Sequence, residues 1–354
     1  MSGPAIRPVS RRTRFAIVGL GAFAERYVRA LQGMSGVEVT WGVGRDPLRT
    51  AEAAARLGLP RHATSVAEAC ADDTVDAVIV CTPEDAHREA AVAALDAGKH
   101  VIVEKPLAST DEDGVAMVRA ARSSRKLLMP AFLLRFDYRY ARLKQRLQEI
   151  EPVHSVYAYR NFDRSLFRLY SRTHSFIENA IHDIDLMLWY LDSPVVRVHG
   201  FCRNTLGLPN PDVNWGVLEF ASGALGVLQT TWLYPDQRHA DLQWNAGIHV
   251  MGARGVLECA NDAGGFIANT DETGILLLDQ TGWADIHGEA RGAFGAMLRH
   301  CVACIRAEAE YAGTTPEQAL EAMRIACRLV EDSQRRLPAS AHPLQGEGQD
   351  VCGR

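Results

Sequence analysis

The chain has 354 residues, a length that suits two or three domains of ordinary size. Its 38 basic and 43 acidic residues leave a net charge of −5, which argues against a nucleic-acid-binding protein that depends on bulk positive charge. A composition of 47% hydrophobic and 23% charged residues excludes a largely disordered chain. No apolar stretch reaches the roughly 18 residues of a membrane span, so we expect no membrane partner.

The eight cysteines are scattered without the spacing of a disulfide framework, which predicts reduced thiols in a cytoplasmic protein. Cys301 and Cys304 form a single C-x-x-C in a helical pattern, which favours two small helix residues over a metal site. Arg11 and Arg12 before an apolar stretch resemble a twin-arginine export signal. That stretch is better explained as the first strand of the fold, so we expect no export.

A glycine-rich turn follows the first predicted strand, 14–18, and precedes a helical pattern. Its sequence fits G-x-G-x-x-A, and this context is typical of a dinucleotide-binding fold. The first glycine permits a tight turn, the second leaves room for a pyrophosphate, and the alanine permits close helix packing. The helix N-terminus favours the phosphate charge. The cofactor contacts predicted here are Gly19, Gly21, Ala22, Phe23 and Ala24.

The second predicted strand, 37–43, ends where such folds usually carry an acid for the ribose 2′-hydroxyl. Gly44 stands at that position and Arg45 follows it. A missing carboxylate beside an arginine suits a 2′-phosphate, so we predict NADP as the preferred cofactor and NAD as the alternative. Asp46 would be the ribose acid if the strand ended in a different register.

Strand and helix patterns alternate as far as residue 132, which predicts an α/β domain with a doubly wound parallel sheet. The later strands predicted here are 75–81, 100–103 and 127–132, and the helices include 50–57, 66–70, 86–95 and 111–123. Ligands bind beyond the carboxyl ends of such strands. Thr82 with Pro83, and Glu104 with Lys105 and Pro106, both follow predicted strands at that edge.

Several linked motifs resemble one enzyme family. They are Thr82-Pro83, His87, the run from Ala94 to Val101, Glu104-Lys105-Pro106-Leu107, and the later segment Glu178-Asn179-Ala180-Ile181-His182-Asp183-Ile184-Asp185. Together they are similar to the glucose–fructose oxidoreductase/inositol dehydrogenase/rhizopine catabolism family over most of residues 14–335. The segment 132–144 looks most like the inositol dehydrogenase branch.

The resemblance implies an N-terminal Rossmann domain and a C-terminal α+β domain with a large, mostly antiparallel sheet. It implies hydride transfer to or from a sugar or cyclitol, a cis peptide bond before Pro106, and burial of one sheet face in a homodimer or homotetramer. It adds the cofactor contacts Thr82, Pro83, His87, Glu104 and Lys105. The predicted domain boundaries are 1–13 for a flexible N-terminus, 14–132, 133–337, and 338–354 for a flexible tail.

The second domain is predicted from its composition and patterns. Helices are predicted at 138–150, 178–191, 292–309 and 315–337, and the Arg- and aromatic-rich segment 162–176 is interpreted as a loop over the site. Strands are predicted at 153–161 and, as an antiparallel sheet, in runs from 195 to 278.

Alcohol oxidation needs a base for the hydroxyl proton and a positive charge near the oxygen. Lys105 follows a buried strand at the ligand-facing edge, although a surface lysine would also fit there. His182 lies between apolar residues in a predicted helix, where a core histidine is the alternative. The resemblance gives Lys105 the oxygen-stabilising role and His182 the general acid/base role. Glu178, where the branch usually has aspartate, is predicted to orient His182 or to bind a substrate hydroxyl.

A polyhydroxylated substrate requires many hydrogen-bonding groups. Our predicted substrate contacts are Arg135, Tyr140, Arg160, Asn179 and His182. Further candidates for the pocket are Asp137, Asn161, Arg168, Arg172 and His174. For Trp232, Tyr234, His239 and Trp244, core or interface packing is favoured over stacking on a sugar, and for Asp185 a structural role is favoured.

The sequence thus predicts an NAD(P)-dependent oxidoreductase acting on a secondary alcohol or ketone of a cyclitol or sugar, without a metal or a nucleic-acid partner. Three alternatives remain at this level. They are a nucleotide-sugar ketoreductase, a glycosidase that uses bound NAD transiently, and a non-enzymatic cofactor-binding sensor.

Overall fold

A computed structural model of the protein describes residues 12–170, 173–234, 244–261, 266–270, 274–278, 285–286 and 289–336. The predicted flexible tail, 338–354, lies outside these residues, as does the predicted flexible N-terminus except for its last two residues. The described chain forms two compact units. Unit 1 comprises described residues within Met1–Tyr138 and Thr281–Glu321, and unit 2 those within Arg139–Gln280 and Ala322–Arg354.

Unit 1 contains a six-stranded sheet with the order β3-β2-β1-β4-β5-β6, in which every pairing is parallel. Its strands are β1 (Thr13–Val18), β2 (Val37–Val43), β3 (Arg61–Ala63), β4 (Ala77–Val80), β5 (His100–Val103) and β6 (Leu128–Pro130). This confirms the predicted doubly wound sheet. The prediction missed β3 because a three-residue strand is too short to show a hydrophobic period.

The first five helices connect these strands. They are α1 (Ala22–Gln32), α2 (Pro47–Arg56), α3 (Val66–Cys70), α4 (His87–Asp96) and α5 (Asp111–Ser124). The predicted start of α2 at residue 50 was three residues late. The helix begins at Pro47 because the Asp46 carboxylate accepts a hydrogen bond from the backbone N–H of Arg49 and a proline suits the first helical position.

Unit 2 contains a second six-stranded sheet with the order β12-β11-β7-β10-β9-β8. Its strands are β7 (Val153–Asp163), β8 (Val195–Arg203), β9 (Val213–Phe220), β10 (Leu225–Tyr234), β11 (Trp244–Gly252) and β12 (Gly255–Ala260). Only β7 and β10 pair in parallel, so the predicted, mostly antiparallel sheet is confirmed.

Two small hairpins stand apart from these sheets. They pair β13 (Phe266–Thr270) with β14 (Gly274–Leu278), and β15 (Asp285–Ile286) with β16 (Glu289–Ala290). The prediction that 275–278 belongs to the large sheet is therefore wrong, because this segment pairs locally with β13.

The remaining helices are α6 (Tyr138–Arg146), α7 (Arg164–Tyr170), α8 (Ser175–Glu178), α9 (Ile181–Leu191), α10 (Gly292–Ile305) and α11 (Pro316–Arg335). The predicted loop 162–176 is wrong over its first half, because β7 continues to Asp163 and α7 follows. Leu166 and Phe167 of α7 form a buried cluster with Trp232, and this packing stabilises a helix that the sequence pattern did not indicate.

The chain returns to unit 1 after unit 2. Phe294, Met297 and Leu298 of α10 lie in the same buried core as Phe15 and Ile17 of β1. The predicted second domain, 133–337, is therefore interrupted. The apolar face of α10 contributes to the core of the parallel sheet, and the described residues within Thr281–Glu321 belong to unit 1.

The sheet of unit 2 has one buried and one exposed face. On the buried face, a Cβ at Gly226 of β10 would lie 2.8 Å from the Met187 sulfur of α9, so the helix packs closely at this glycine. On the other face Trp215 is 40% exposed and stacks on Tyr157, with ring centroids 6.4 Å apart. Among the described residues, no helix has the length and apolarity needed to cross a membrane.

Candidate active site

The glycine turn of unit 1 joins β1 to α1. Gly19 has a φ of +88°, and a Cβ there would lie 2.8 Å from the backbone of Cys81 and Thr82, so a side chain would be strained and would clash. Nothing lies within 4 Å of the position that a Cβ of Gly21 would take. Gly21 is also the N-cap of α1, and no side chain caps this helix end. Uncapped N–H groups beside open space suit a phosphate.

The next three residues begin α1. Ala22 is exposed and Phe23 is half-buried, so both lie where a ligand at the turn could reach them. Ala24 is fully buried, and its small side chain allows the helix to pack closely on the sheet. Ala24 therefore shapes the turn rather than contacting a ligand through its side chain.

Thr82 follows β4, the strand beside β1. Its Oγ1 is buried and makes no hydrogen bond to any residue that the structure describes. A buried hydroxyl without a partner costs about 1–3 kcal/mol, which a ligand hydrogen bond would offset. Pro83 beside it is exposed. The open space at Gly21 and the hydroxyl of Thr82 both fit a bound dinucleotide.

The end of β2 carries the residues that discriminate between cofactors in such folds. The strand ends at Val43, as predicted, and a Cβ at Gly44 would lie 2.5 Å from the Thr50 hydroxyl. An acidic side chain at position 44 would therefore clash with the buried Thr50. The Asp46 carboxylate caps α2, and Arg45 between them is exposed.

Lys105 lies in the turn that follows β5. The Lys105–Pro106 peptide bond is cis, as the resemblance implied. The Glu104 amide donates to the Val80 carbonyl at 3.0 Å, and the Lys105 amide donates to Glu104 Oε2 at 3.2 Å. The other carboxylate oxygen, Oε1, accepts a hydrogen bond from the Tyr27 hydroxyl at 2.7 Å. Both Glu104 and Lys105 are half-buried at the carboxyl end of the sheet.

His87 begins α4 and is 1% exposed. Its Nε2 lies 3.0 Å from the Thr82 carbonyl, and its Nδ1 lies 3.0 Å from the Pro106 carbonyl and 3.3 Å from that of Leu107. Burial lowers its pKa below the ordinary value. His87, predicted as a cofactor contact, is thus placed between the Thr82 segment and the Lys105 turn, with both ring nitrogens directed at backbone carbonyls.

In unit 2, Glu178 and His182 are both half-buried, but they do not share one helix. The predicted continuous helix 178–191 is wrong, because α8 ends at Glu178 and α9 begins at Ile181. The break is stabilised by Asn179, whose Nδ2 donates to Ser175 Oγ at 2.9 Å. Asn179 is 4% exposed, so the structure gives this predicted substrate contact a buried role in the turn.

Arg160 and Tyr140, two more predicted substrate contacts, are also buried. Arg160 makes two hydrogen bonds to the Asp183 carboxylate, of 3.0 and 2.7 Å, and the two side chains are 6% and 2% exposed. Burial alone would lower the pKa of Arg160, but Asp183 and Tyr140 together raise it above its ordinary value. Burial also raises the pKa of Tyr140 to about 12. The ion pair holds α9, beside His182, on strand β7.

Arg135 and Asp137 belong to unit 1 and are 6% and 1% exposed. Arg135 donates to Gln318 Oε1 at 3.0 Å. The same Gln318 oxygen accepts the Thr315 amide, at the start of α11. Arg135 therefore stabilises the segment that precedes α11, which the sequence analysis did not suggest.

The remaining candidates that the structure describes are mostly buried and make hydrogen-bond or packing contacts. His174 is 8% exposed and caps α8 by accepting the Phe176 amide at its Nδ1. Asn161 is 3% exposed and donates to Asn245 Oδ1 at 3.4 Å. Trp232 is buried in the core, as favoured, and the Tyr234 hydroxyl donates to Asn245. Arg172, His239 and the side chains of Arg168 and Trp244 lie outside what the structure describes.

The sequence analysis did not identify Tyr27 as a partner of Glu104. No local signal predicts its hydrogen bond, because Glu104 is 77 residues away. The Asp183 partner of Arg160 was missed for the same reason.

Histidine, cysteine and acidic side chains are dispersed in the described part of the chain. No group of three or more histidine, cysteine or acidic residues is arranged to hold a metal there. The seven cysteines within it are free. Burial raises the pKa of the Cys301 thiol, which makes it a poor nucleophile.

A parallel sheet with this order and an open glycine turn after β1 is a Rossmann fold, the architecture of dinucleotide-binding proteins. Residues 13–132 match the family model described as an oxidoreductase family with an NAD-binding Rossmann fold, and residues 144–258 match the GFO/IDH/MocA C-terminal domain. The chain belongs to this GFO/IDH/MocA oxidoreductase family, which confirms the resemblance found in its motifs.

Three curated relatives illustrate the range of similarity. A 4-carboxy-2-hydroxymuconate-6-semialdehyde dehydrogenase of a Sphingobium species is 40% identical over 124 residues, 35% of this chain and 39% of that enzyme. The NAD(+)-dependent scyllo-inositol 2-dehydrogenase of Bacillus subtilis is 27% identical over 84% of this chain and 87% of that enzyme. An NADP(+)-dependent scyllo-inositol 2-dehydrogenase of the same organism is 30% identical over 48% of this chain and 49% of that enzyme.

Solved structures share the fold over nearly the whole chain. The scyllo-inositol dehydrogenase of Lactobacillus casei, with bound NAD(H) and scyllo-inositol, has a TM-score of 0.76 at 18% identity and covers 92% of this chain and 98% of its own. The WlbA dehydrogenase of Bordetella pertussis, in complex with NADH and UDP-GlcNAcA, has a TM-score of 0.74 at 22% identity, covering 94% and 98%.

Proposed function

We propose that this protein is an NAD(P)-dependent dehydrogenase that transfers a hydride between nicotinamide and a secondary alcohol or ketone of a cyclitol or sugar. The observation that carries the proposal is the edge formed by β1, β4 and β5. An open glycine turn, the buried Thr82 hydroxyl and Lys105 follow these three neighbouring parallel strands. The inositol dehydrogenases among the curated relatives support a cyclitol substrate.

Bound NAD(P) would supply the group that accepts or donates the hydride. Gly21 and the start of α1 would hold the pyrophosphate, and the Thr82 hydroxyl would donate to or accept from the bound dinucleotide. The Lys105 ammonium would hydrogen-bond the substrate oxygen at the reacting carbon and stabilise the negative charge that develops on it.

His182 would take the hydroxyl proton during oxidation and return it to the carbonyl oxygen during reduction. Its half-buried position on α9 and the ion pair at the neighbouring Asp183 support a fixed imidazole orientation. Glu178, at the end of α8, would orient His182 or bind a neighbouring substrate hydroxyl.

The test is turnover of NAD⁺ and NADP⁺ with a panel of inositols, aminocyclitols and hexoses, followed through reduced nicotinamide. We expect reduction with at least one cyclitol, and a loss of about 100-fold or more in kcat for Lys105→Ala with cofactor binding retained. Lys126→Ala, in the same unit, is the matched control. Cofactor binding without turnover of any alcohol would refute the dehydrogenase proposal.

We further propose NADP as the preferred cofactor. Support comes from Gly44, where an acidic side chain would clash with Thr50, from the use of Asp46 as a helix cap, and from the exposed Arg45. Arg45→Ala should raise the KM for NADP⁺ by about tenfold with little change for NAD⁺. Arg49→Ala, which also changes an exposed arginine, in α2, is the control. Equal effects of Arg45→Ala on both cofactors would contradict the preference.

We also propose that the exposed sheet face of unit 2 joins subunits in a homodimer or homotetramer. Apolar side chains on it, including Phe201, Trp215 and Leu225, are between 40% and 46% exposed. Light scattering after chromatography should show an oligomer that Trp215→Glu dissociates, and a monomeric wild type would refute this. A cytoplasmic location stays a prediction.

A further inference from the structure

Tyr27 stands out on the buried face of α1. It is 0% exposed and lies among Ala24, Val28 and Leu31, where an aliphatic side chain would fill the space without a polar atom. A buried phenol requires a hydrogen-bond acceptor. Tyr27 finds it in Glu104 Oε1 at 2.7 Å, beyond the end of strand β5.

Glu104 connects this hydroxyl to the turn of Lys105. One carboxylate oxygen accepts from Tyr27 and the other accepts from the Lys105 amide at 3.2 Å. The backbone of Glu104 is fixed as well, because its amide donates to the Val80 carbonyl. A single carboxylate therefore joins the helix of the glycine turn to the backbone of Lys105.

The Tyr27 ring also packs against a second helix. It contacts Phe294 of α10 edge-on, with centroids 4.9 Å apart and planes at 71°. Burial and then the nearby Glu104 carboxylate raise the pKa of Tyr27 well above its ordinary value. The raised pKa favours the protonated phenol, which is the form that donates to Glu104.

We propose that Tyr27 is a positioning residue for hydride transfer. Its hydroxyl fixes Glu104, and Glu104 fixes the turn that presents Lys105. The same helix that would hold the pyrophosphate then also sets the position of the lysine that acts on the substrate oxygen. This inference rests on the proposed role of Lys105.

If Tyr27 only fills space in the core, a different result is expected. Phenylalanine fills the same volume and keeps the edge-on contact with Phe294, so a packing role would survive Tyr27→Phe with normal kcat. In a positioning role the variant removes the hydrogen bond from the Tyr27 hydroxyl to Glu104 Oε1. A hydrogen bond to a charged group contributes about 1.5 kcal/mol, and losing this amount from the stabilisation of the transition state would lower kcat by a factor of about ten.

The kinetic experiment measures kcat and the cofactor KM for Tyr27→Phe with saturating substrate. We expect kcat to fall about tenfold and the cofactor KM to change less than about twofold. Tyr190→Phe is the control, because Tyr190 is also buried, at 4% exposed, and its hydroxyl donates to the Tyr140 carbonyl at 3.0 Å. It should lose comparable stability and retain wild-type kcat. Glu104→Gln should lower kcat as well, and the double variant should lose less than the product of the two factors.

A second readout is independent of turnover. The chain has four lysines, so competitive acetylation with mass spectrometry can follow each separately. We expect the acetylation rate of Lys105, relative to Lys126 in the same unit, to rise at least about threefold in Tyr27→Phe because the turn is loosened. The ratio should not change in Tyr190→Phe.

The outcomes separate the two proposals. If Lys105→Ala keeps its activity, the proposed role of Lys105 is wrong and the role of Tyr27 falls with it. If Lys105→Ala is inactive while Tyr27→Phe has normal kcat and an unchanged acetylation ratio, the positioning role alone is refuted.

Discussion

His174 should make folding stability depend on pH. The ring caps α8 through Nδ1, stacks on Phe176 and lies 3.7 Å from the sulfur of Cys202 through Nε2. Burial lowers the pKa of His174 from an ordinary 6.5 to about 4. As pH falls below 6.5, the unfolded chain binds a proton that the folded protein takes up only near pH 4. The free energy of unfolding must therefore fall with pH across this window.

The size of the effect follows from the two pKa values of 6.5 and about 4. Between pH 7 and pH 5, this one histidine should lower the free energy of unfolding by about 2 kcal/mol. The pKa values of His87, His100 and His300 are also lowered by burial, so the wild type should lose more than this in total.

The variant His174→Asn isolates the contribution. Asparagine is a good N-cap that does not titrate here, so the helix cap is kept and the proton site is removed. Urea unfolding measures the free energy of unfolding at pH 7 and at pH 5. The decrease from pH 7 to pH 5 should be about 2 kcal/mol smaller in the variant than in the wild type. The control is His154→Asn, at an exposed position of β7. Equal losses in His174→Asn and the wild type would refute the inference from burial.

Two further results are expected. Asp183→Asn should lower the free energy of unfolding by about 3–5 kcal/mol, because it leaves the buried Arg160 guanidinium without its carboxylate partner. In the same urea-unfolding experiment, Glu149→Gln, which removes an exposed ion pair, should have far less effect. Similar losses in the two variants would show that the buried ion pair is not what stabilises α9. Gly19→Ala should lower the melting temperature, because a Cβ there would lie 2.8 Å from the backbone of Cys81 and Thr82. Gly21→Ala should leave the melting temperature unchanged and should weaken cofactor binding in a fluorescence titration. Unchanged cofactor affinity in Gly21→Ala would show that Gly21 is not part of the cofactor site.

Local sequence signals were sufficient for much of unit 1. The apolar strand before Gly19 and the end of β2 at Val43 follow from patterns that span only a few residues. The motif around Lys105 was specific enough to give the family and the cis peptide bond. These features share one property: the residues that determine them are neighbours in the chain.

Features that depend on distant contacts were not predictable in the same way. Helix α7, for example, is stabilised by packing of Leu166 and Phe167 on Trp232, which lies on strand β10. The buried ion pair of Arg160 with Asp183 joins residues that are far apart in the sequence, so no local pattern indicated it. An arginine, a tyrosine or a histidine has the same sequence signature in a pocket and in a buried network, so the buried contacts of these side chains could not be predicted from the sequence.

The return of α10 to unit 1 orders events during synthesis. Phe294, Met297 and Leu298 leave the ribosome only after the whole sheet of unit 2. Part of the apolar core of the parallel sheet therefore stays exposed to solvent until residues 292–305 of α10 have left the ribosome and can pack on it. A chain truncated within unit 2 would therefore contain a Rossmann domain without helix α10. We expect this truncated chain to need chaperones to stay soluble more than the full-length chain does.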